Sequence, residues 1–233
     1  MILGYDVETT GLPAWNDPSD ASHQPHVIQI AMIRQRMDGS EIDRFVSIVK
    51  PGRGAVMEPK AFEAHGITLE RAMDEGADPV EVVERFLDWA GSAQLMVGHN
   101  ESFDRRLMRI MAARHKGFKW EPSCPNFCTL YRSKFVINLP PTPKMIAAGM
   151  PGPKAPNLGE CIQHFFGETL EGAHDAAVDI EASLRVMWHL INEVGVPMFK
   201  AARAPRVSSK SVRGTGHAAD PFSAAAALLG SVK

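Results

Sequence analysis

The chain reads as an α/β protein, a mixed β-sheet with helices on both faces. Three observations predict this. Three strand-like runs follow one another near the start. Segments of helical period then alternate with short apolar runs. The 233 residues are 45% hydrophobic and 22% charged, an ordinary balance for a chain that buries a core.

Residues 2–7 are a short apolar strand, and 27–33 form a second, more continuous one. A third covers 45–49, and Asp38-Gly39-Ser40 before it is a hairpin turn signal. Pro79 opens a helix over 79–90 that carries Val82, Val83, Phe86 and Leu87 on one face. Leu95-Met96-Val97 is a fourth strand. A helix follows from Ser102, read as its N-cap, with Phe103, Leu107, Ile110 and Met111 at helical spacing. Residues 127–130 form a fifth strand running into a short helix. Proline and glycine make 138–156 an irregular connection. A helix over 158–166 stops at Gly167, and a long one covers about 176–193. Beyond Lys200 the composition shifts to Ala, Ser, Gly, Arg and Val, which reads as a disordered or partly helical tail.

No run approaches the ~20 apolar residues of a membrane span, so no membrane association is expected. Met1 leads into Ile2-Leu3-Gly4 without a basic stretch, so no cleaved signal is expected either. Cys124, Cys128 and Cys161 are too few for a disulfide framework. Cys124 and Cys128 lack the partners of a zinc site. A reducing, cytoplasmic setting fits. The charge is unevenly divided. Residues 200–233 hold six basic side chains against Asp220, a net of +5, so residues 1–199 carry −7 of the total −2. An acidic body does not grip long duplex by phosphate neutralisation alone. It suits an enzyme holding a short polyanion end with the help of cations.

Four carboxylates and a histidine stand out. Asp6 and Glu8 are two apart on a strand and share a face. Two acids on a core face are costly unless a cation neutralises them. Alternatively both lie past the strand end, in water, since Thr9-Thr10-Gly11 follows at once. Asp104 falls in the first turn of a helix, where the dipole favours the ionised form. His174 and Asp179 are five apart and would not share one helical face. With Asp175 as cap, Asp179 is fixed one turn in and His174 sits in the preceding loop. Hydrolysis of a phosphodiester by two metals needs oxygen ligands around both ions, and Mg²⁺ or Mn²⁺ prefers carboxylates and water. A histidine titrating near neutrality can take the proton of the attacking water.

These segments resemble the three motifs of the DEDDh, or DnaQ-like, 3′→5′ exonucleases. Asp6-Val7-Glu8-Thr9-Thr10-Gly11-Leu12 matches the first. His99-Asn100-Glu101-Ser102-Phe103-Asp104 matches the second, and His174 with Asp179 matches the third. His65-Gly66-Ile67-Thr68 and Cys128-Thr129-Leu130 resemble two further family segments. The resemblance covers roughly 1–195. It implies a ribonuclease H-like fold with a five-stranded mixed sheet, in an exonuclease domain over 1–197 followed by a basic tail over 198–233. It implies that Asp6, Glu8, Asp104 and Asp179 hold two Mg²⁺ or Mn²⁺ ions and that His174 is the general base. Thr9, Thr10 and Leu12 would contact the terminal nucleotide, and His65, Asn100 and Phe103 would line its pocket. His65 as a core histidine is a rival reading. The loop over 13–26 and the connection over 138–156 are longer than usual and are expected to shape substrate access.

The leading expectation is a metal-dependent enzyme releasing nucleoside monophosphates from single-stranded or frayed DNA 3′ ends. Its setting would be repair, or proofreading similar to that of the epsilon subunit of bacterial DNA polymerase III, with the tail docking to the polymerase. One alternative is an RNA 3′-end trimmer similar to ribonuclease T or oligoribonuclease. Another is a binding module that has lost catalysis, but such a module should lack a metal ligand, and none is missing here.

Overall fold

The computed structural model describes residues 1–199, to which every structural statement below applies. The tail from Lys200 onward, and the docking role expected of it, lie outside the described residues. Strands β1 (Ile2–Thr9), β2 (Val27–Gln35) and β3 (Glu41–Ile48) form an antiparallel meander. Helices α1 (Pro59–His65), α2 (Leu69–Glu75) and α3 (Pro79–Ser92) lead to β4 (Leu95–Gly98). Then come α4 (Ser102–Lys116), β5 (Asn126–Cys128), α5 (Thr129–Ile137), α6 (Pro143–Ala147), α7 (Leu158–Phe166) and α8 (Ala176–Asn192). The sheet order is β3-β2-β1-β4-β5, with β4 parallel to β1 and β5 parallel to β4.

Both faces of the sheet are covered. Leu3, Tyr5, Val7, Ile30 and Met32 pack with Phe86, Leu107 and Met108 from α3 and α4. Ile2, Ala31, Ile33, Val97 and Phe127 pack with Ile162, Ile180 and Leu184 from α7 and α8. This explains the continuous apolar run of β2, which has no solvent side. β3 is the edge strand, and its Glu41, Asp43 and Arg44 are exposed, charges that discourage further strand pairing.

Several sequence-based boundaries move. The third strand covers 41–48 rather than 45–49, and Val49 makes only an isolated bridge to Ala77. Helices α1 and α2 are not evident in the sequence pattern, because each spans only two turns. Thr68 caps α2 by accepting from the Arg71 N–H at 3.0 Å, while Gly66 closes α1 at φ 67°. The His65-Gly66-Ile67-Thr68 segment is thus one helix's end and the next one's start. The 138–156 connection is not wholly irregular. Thr142 and Pro143 start the short α6, and a Leu139–Lys154 bridge closes its base. Ser102 is not the cap of α4. Glu101 holds that position and caps nothing, because its carboxylate is turned into the core.

The loop over 13–26 is firmly seated on α4. Arg106 donates to the carbonyls of Ala14 (3.1 Å) and Asp17 (2.6 Å), and Arg114 to those of Pro25 (2.8 Å) and Gln24 (2.6 Å). The Gln24 side chain is buried under the loop and donates to the carbonyls of Ala14 and Pro18.

Gly4 lets α8 approach β1. A Cβ there would lie 3.0 Å from both Ile180 and Leu184. Gly4→Val is expected to lower stability by about 1–3 kcal/mol through overpacking. Denaturant unfolding checks this, and an unchanged midpoint would refute the close approach.

Candidate active site

Strand β1 carries the first two acids. It runs through Thr9, so Asp6 and Glu8 lie within the strand and not in solvent beyond it. Both share the face of Gly4, which is the α8 side. Helix α8 brings Asp179 to the same place, one turn inside its N-terminus. Asp175 is the N-cap as expected, accepting from the Ala177 N–H at 2.9 Å. His174 precedes it with φ 69°, a left-handed conformation costly for a side chain. Its N–H donates to Asp179 Oδ2 at 3.2 Å. Glu8, His174 and Asp179 each offer an atom within 4.8 Å of the others'.

Asp104 arrives from the other face. β4 pairs with β1 only as far as Gly4, so the strand beyond has no neighbour on that side. The Val7 N–H donates to Asp104 Oδ1 at 3.2 Å, filling the gap in the ladder. Asp104 is 3% exposed.

This crowding reverses one expectation from sequence, that a first-turn position keeps Asp104 ionised. Burial dominates and pushes its carboxyl well above the usual range, with Glu101 adding to the shift and the Val7 N–H opposing it. Asp6 is pushed up by burial first, then by the charges of Asp104, Asp179 and Glu8. Glu8 is raised to about 8 by burial and by Asp179 and Asp175. Asp179 is raised by burial, against the pull of the His174 N–H.

The flanking residues divide. Leu12 is 74% exposed and open to a ligand. Asn100 is exposed, with φ 66°. Phe103 is partly buried against the core. The Thr9 hydroxyl donates to the Gly11 carbonyl at 2.7 Å, and Thr10 Oγ1 accepts from the His26 N–H at 3.0 Å. Both threonines are buried, and their side chains build the turn. His65 accepts at Nδ1 from the Ile67 N–H (3.0 Å), so Nε2 carries the proton and donates to the Thr9 carbonyl (3.1 Å). It therefore holds the end of β1.

Three residues escape a reading of the sequence. Gln29 stands opposite Glu8 on β2, donates to Asp175 and accepts from the Ala176 N–H, clamping the start of α8. A lone amide in an apolar strand is its signal. Glu101, 1% exposed, accepts from the Tyr5 hydroxyl (2.8 Å) and Asn126 (2.7 Å) behind Asp104. His99 bonds Thr129 Oγ1 at 2.9 Å and the Pro156 carbonyl at 3.1 Å, and burial lowers its pKa to about 4.

Half-buried and buried acids gather where β1 and β4 end, with a histidine beside them, and they come from the three segments that resemble the motifs of the 3′→5′ exonuclease class. The RNase_T family model, described as an exonuclease, matches residues 3–187, and the chain belongs to that family. It is 36% identical over 190 residues to a PolC-type DNA polymerase III of Listeria welshimeri and 29% identical over 190 residues to that of Listeria monocytogenes. These matches cover 81% of this chain but 11% of each polymerase. Among solved structures, E. coli Exonuclease I in complex with a dT13 oligonucleotide is similar with a TM-score of 0.63 at 21% identity, over 82% of this chain and 41% of that one. The fold is the ribonuclease H-like one that the resemblance implied. Among the described residues, no helix is long and apolar enough to cross a membrane.

The raised pKa of Glu8 predicts a pH dependence. A carboxyl raised on folding binds its proton more tightly in the native state. Its contribution to stability is complete below the ordinary value of 4.5 and is lost as pH climbs through about 8. The metal-free protein should therefore lose stability across this window, and Glu8→Gln should flatten the decline. Equal slopes for both proteins in thermal scans would refute the burial of this charge.

Proposed function

We propose that the chain is a divalent-metal-dependent 3′→5′ exonuclease releasing nucleoside monophosphates from single-stranded or frayed DNA ends. The convergence of Asp6, Glu8, Asp104 and Asp179 beside His174 carries this reading. The PolC-type relatives favour DNA over RNA and a proofreading setting, with residues 1–197 as the catalytic domain and the tail as a docking segment to a polymerase.

The residues fit hard cations. The donors are carboxylate oxygens, and Asp179 Oδ1 is buried without a hydrogen-bond partner among the described residues. Asp6, Glu8, Asp104 and Asp179 would hold two Mg²⁺ or Mn²⁺ ions. Bound there, such ions would offset phosphate charge and assist both the attack of water and the departure of the 3′ oxygen. The acids repel one another, and cations held there would relieve that repulsion. His174, exposed in its loop, accepts the proton of the attacking water. Leu12 wedges against the terminal base, and Asn100, Phe103 and the backbone around Thr9 and Thr10 border its sugar and phosphate. His65 supports them through the Thr9 carbonyl.

Matched DNA and RNA oligonucleotides labelled at either end, digested with Mg²⁺ and with EDTA, test the reading. Mononucleotides should leave the 3′ end of DNA only when metal is present. Cleavage in EDTA, or release from the 5′ end, would overturn it. His174→Ala should lower kcat by about 10²–10⁴ with metal affinity nearly intact. Asp6→Ala should abolish both. Wild-type turnover in His174→Ala at neutral pH, with chemistry rate-limiting, would remove the histidine from its role.

A further inference from the structure

Residues 122–159 contain no Asp or Glu, yet they hold Arg132, Lys134, Lys144 and Lys154, within a body whose net charge is −7. We propose that this acid-free segment is the track for the single strand on the 5′ side of the cleaved bond, with Tyr131 and Phe135 stacking its bases. The proposal rests on the exonuclease reading above and adds where the rest of the substrate lies.

Four observations carry it. First, the segment is tied to the site at both ends by one side chain. His99, next to Asn100, bonds Thr129 at the start of α5 and Pro156 just before α7. Second, a cleft of about 380 Å³ runs from His174 and Asp179 to Asn157, Leu158 and Gly159, where the segment ends. A strand leaving the carboxylates along this cleft reaches the segment directly. Third, Tyr131 and Phe135 are one helical turn apart on α5, on the same face, and are 59% and 74% exposed. Ile146 and Met150, in the connection that follows, are also exposed, at 59% and 55%. Fourth, cations accompany these aromatics, with the Lys134 ammonium 5.6 Å from the Phe135 ring. Lys154 pairs with Glu160, but Arg132, Lys134 and Lys144 have no acidic partner among the described residues. The Arg132 guanidinium lies over the Phe127 ring at 4.9 Å with its Nε and Nη2 buried, so it is Lys134 and Lys144 that meet phosphates.

Aromatic rings interleaved with unpaired cations suit single-stranded nucleic acid. Every base has a face to stack, and every phosphate seeks positive charge. A protein partner would account for the apolar residues but not for the absence of acids.

Binding and hydrolysis are measured together, on a dinucleotide and on an oligothymidylate of about 15 nucleotides, a length that exceeds one stacking site. Binding of the labelled oligonucleotide is read by fluorescence anisotropy in EDTA, so it does not depend on turnover. The Tyr131→Ala/Phe135→Ala variant should bind the oligonucleotide at least about tenfold more weakly. It should also lose the preference for long substrate while cleaving the dinucleotide at the wild-type rate. Lys134→Ala with Lys144→Ala should reduce the salt dependence of binding by roughly 0.7 in log–log slope for each phosphate no longer neutralised. Thermal scans confirm that the variants fold. Wild-type affinity and salt slope in both variants would overturn the track and leave the surface to a protein partner. Failure of the wild type to cleave either substrate would sink the exonuclease reading, while anisotropy would still judge the track.

Discussion

Mutual repulsion among Asp6, Glu8, Asp104 and Asp179 is the constraint around which the molecule is organised. Left alone, four acids at the rim of a core would push apart or take up protons, and burial raises their proton affinity. The surroundings hold them in place regardless. Gly4 lets α8 sit close against β1, so Asp179 cannot back away. Gln29 and Asp175 lock the first turn of α8. Asp104 is tethered to a backbone N–H that the short β4 leaves unpaired. Each device fixes a backbone so that a side chain has no retreat. The native state thus carries an electrostatic cost at neutral pH that cations would remove.

Much of this is legible in the sequence. Asp6 and Glu8 declare a shared face by their spacing in an apolar strand. The five-residue gap from His174 to Asp179 declares a loop followed by a helix, with Asp175 as cap. Long periodic elements such as α3 and α8 are legible to within a few residues. Short elements are not, because a two-turn helix such as α1 contains too few positions to establish a period. The partners that orient the acids are hidden for a different reason. Gln29 meets Asp175 across 146 residues, and Glu101 meets Tyr5 across 96. No local pattern records such pairings. Glu101 is also misleading, since its helix-start position conceals a carboxylate turned inward. The same is true of Asp104, where a local dipole argument is outweighed by burial that only the assembled fold creates.

Charge is segregated within the described body. The acids gather at the carboxyl ends of β1 and β4 and over the outer surface, while the stretch from β5 to the start of α7 has none. His99 joins the two regions and is kept neutral by burial, so it links them without adding charge to either. The acidic body that argues against broad duplex binding is therefore compatible with a local grip on one strand.

The seating of the 13–26 loop has a consequence for how such a chain can diversify. Arg106, Arg114 and Gln24 hold it chiefly through main-chain carbonyls, which every residue type supplies alike. Gln24 apart, the anchorage is therefore nearly blind to the loop's own side chains. Most of the outward positions, including the exposed Trp15 beyond Leu12, can be rewritten without unseating the loop. The loop's outer surface can then change by ordinary point substitutions, while the scaffold that restrains the acids goes untouched.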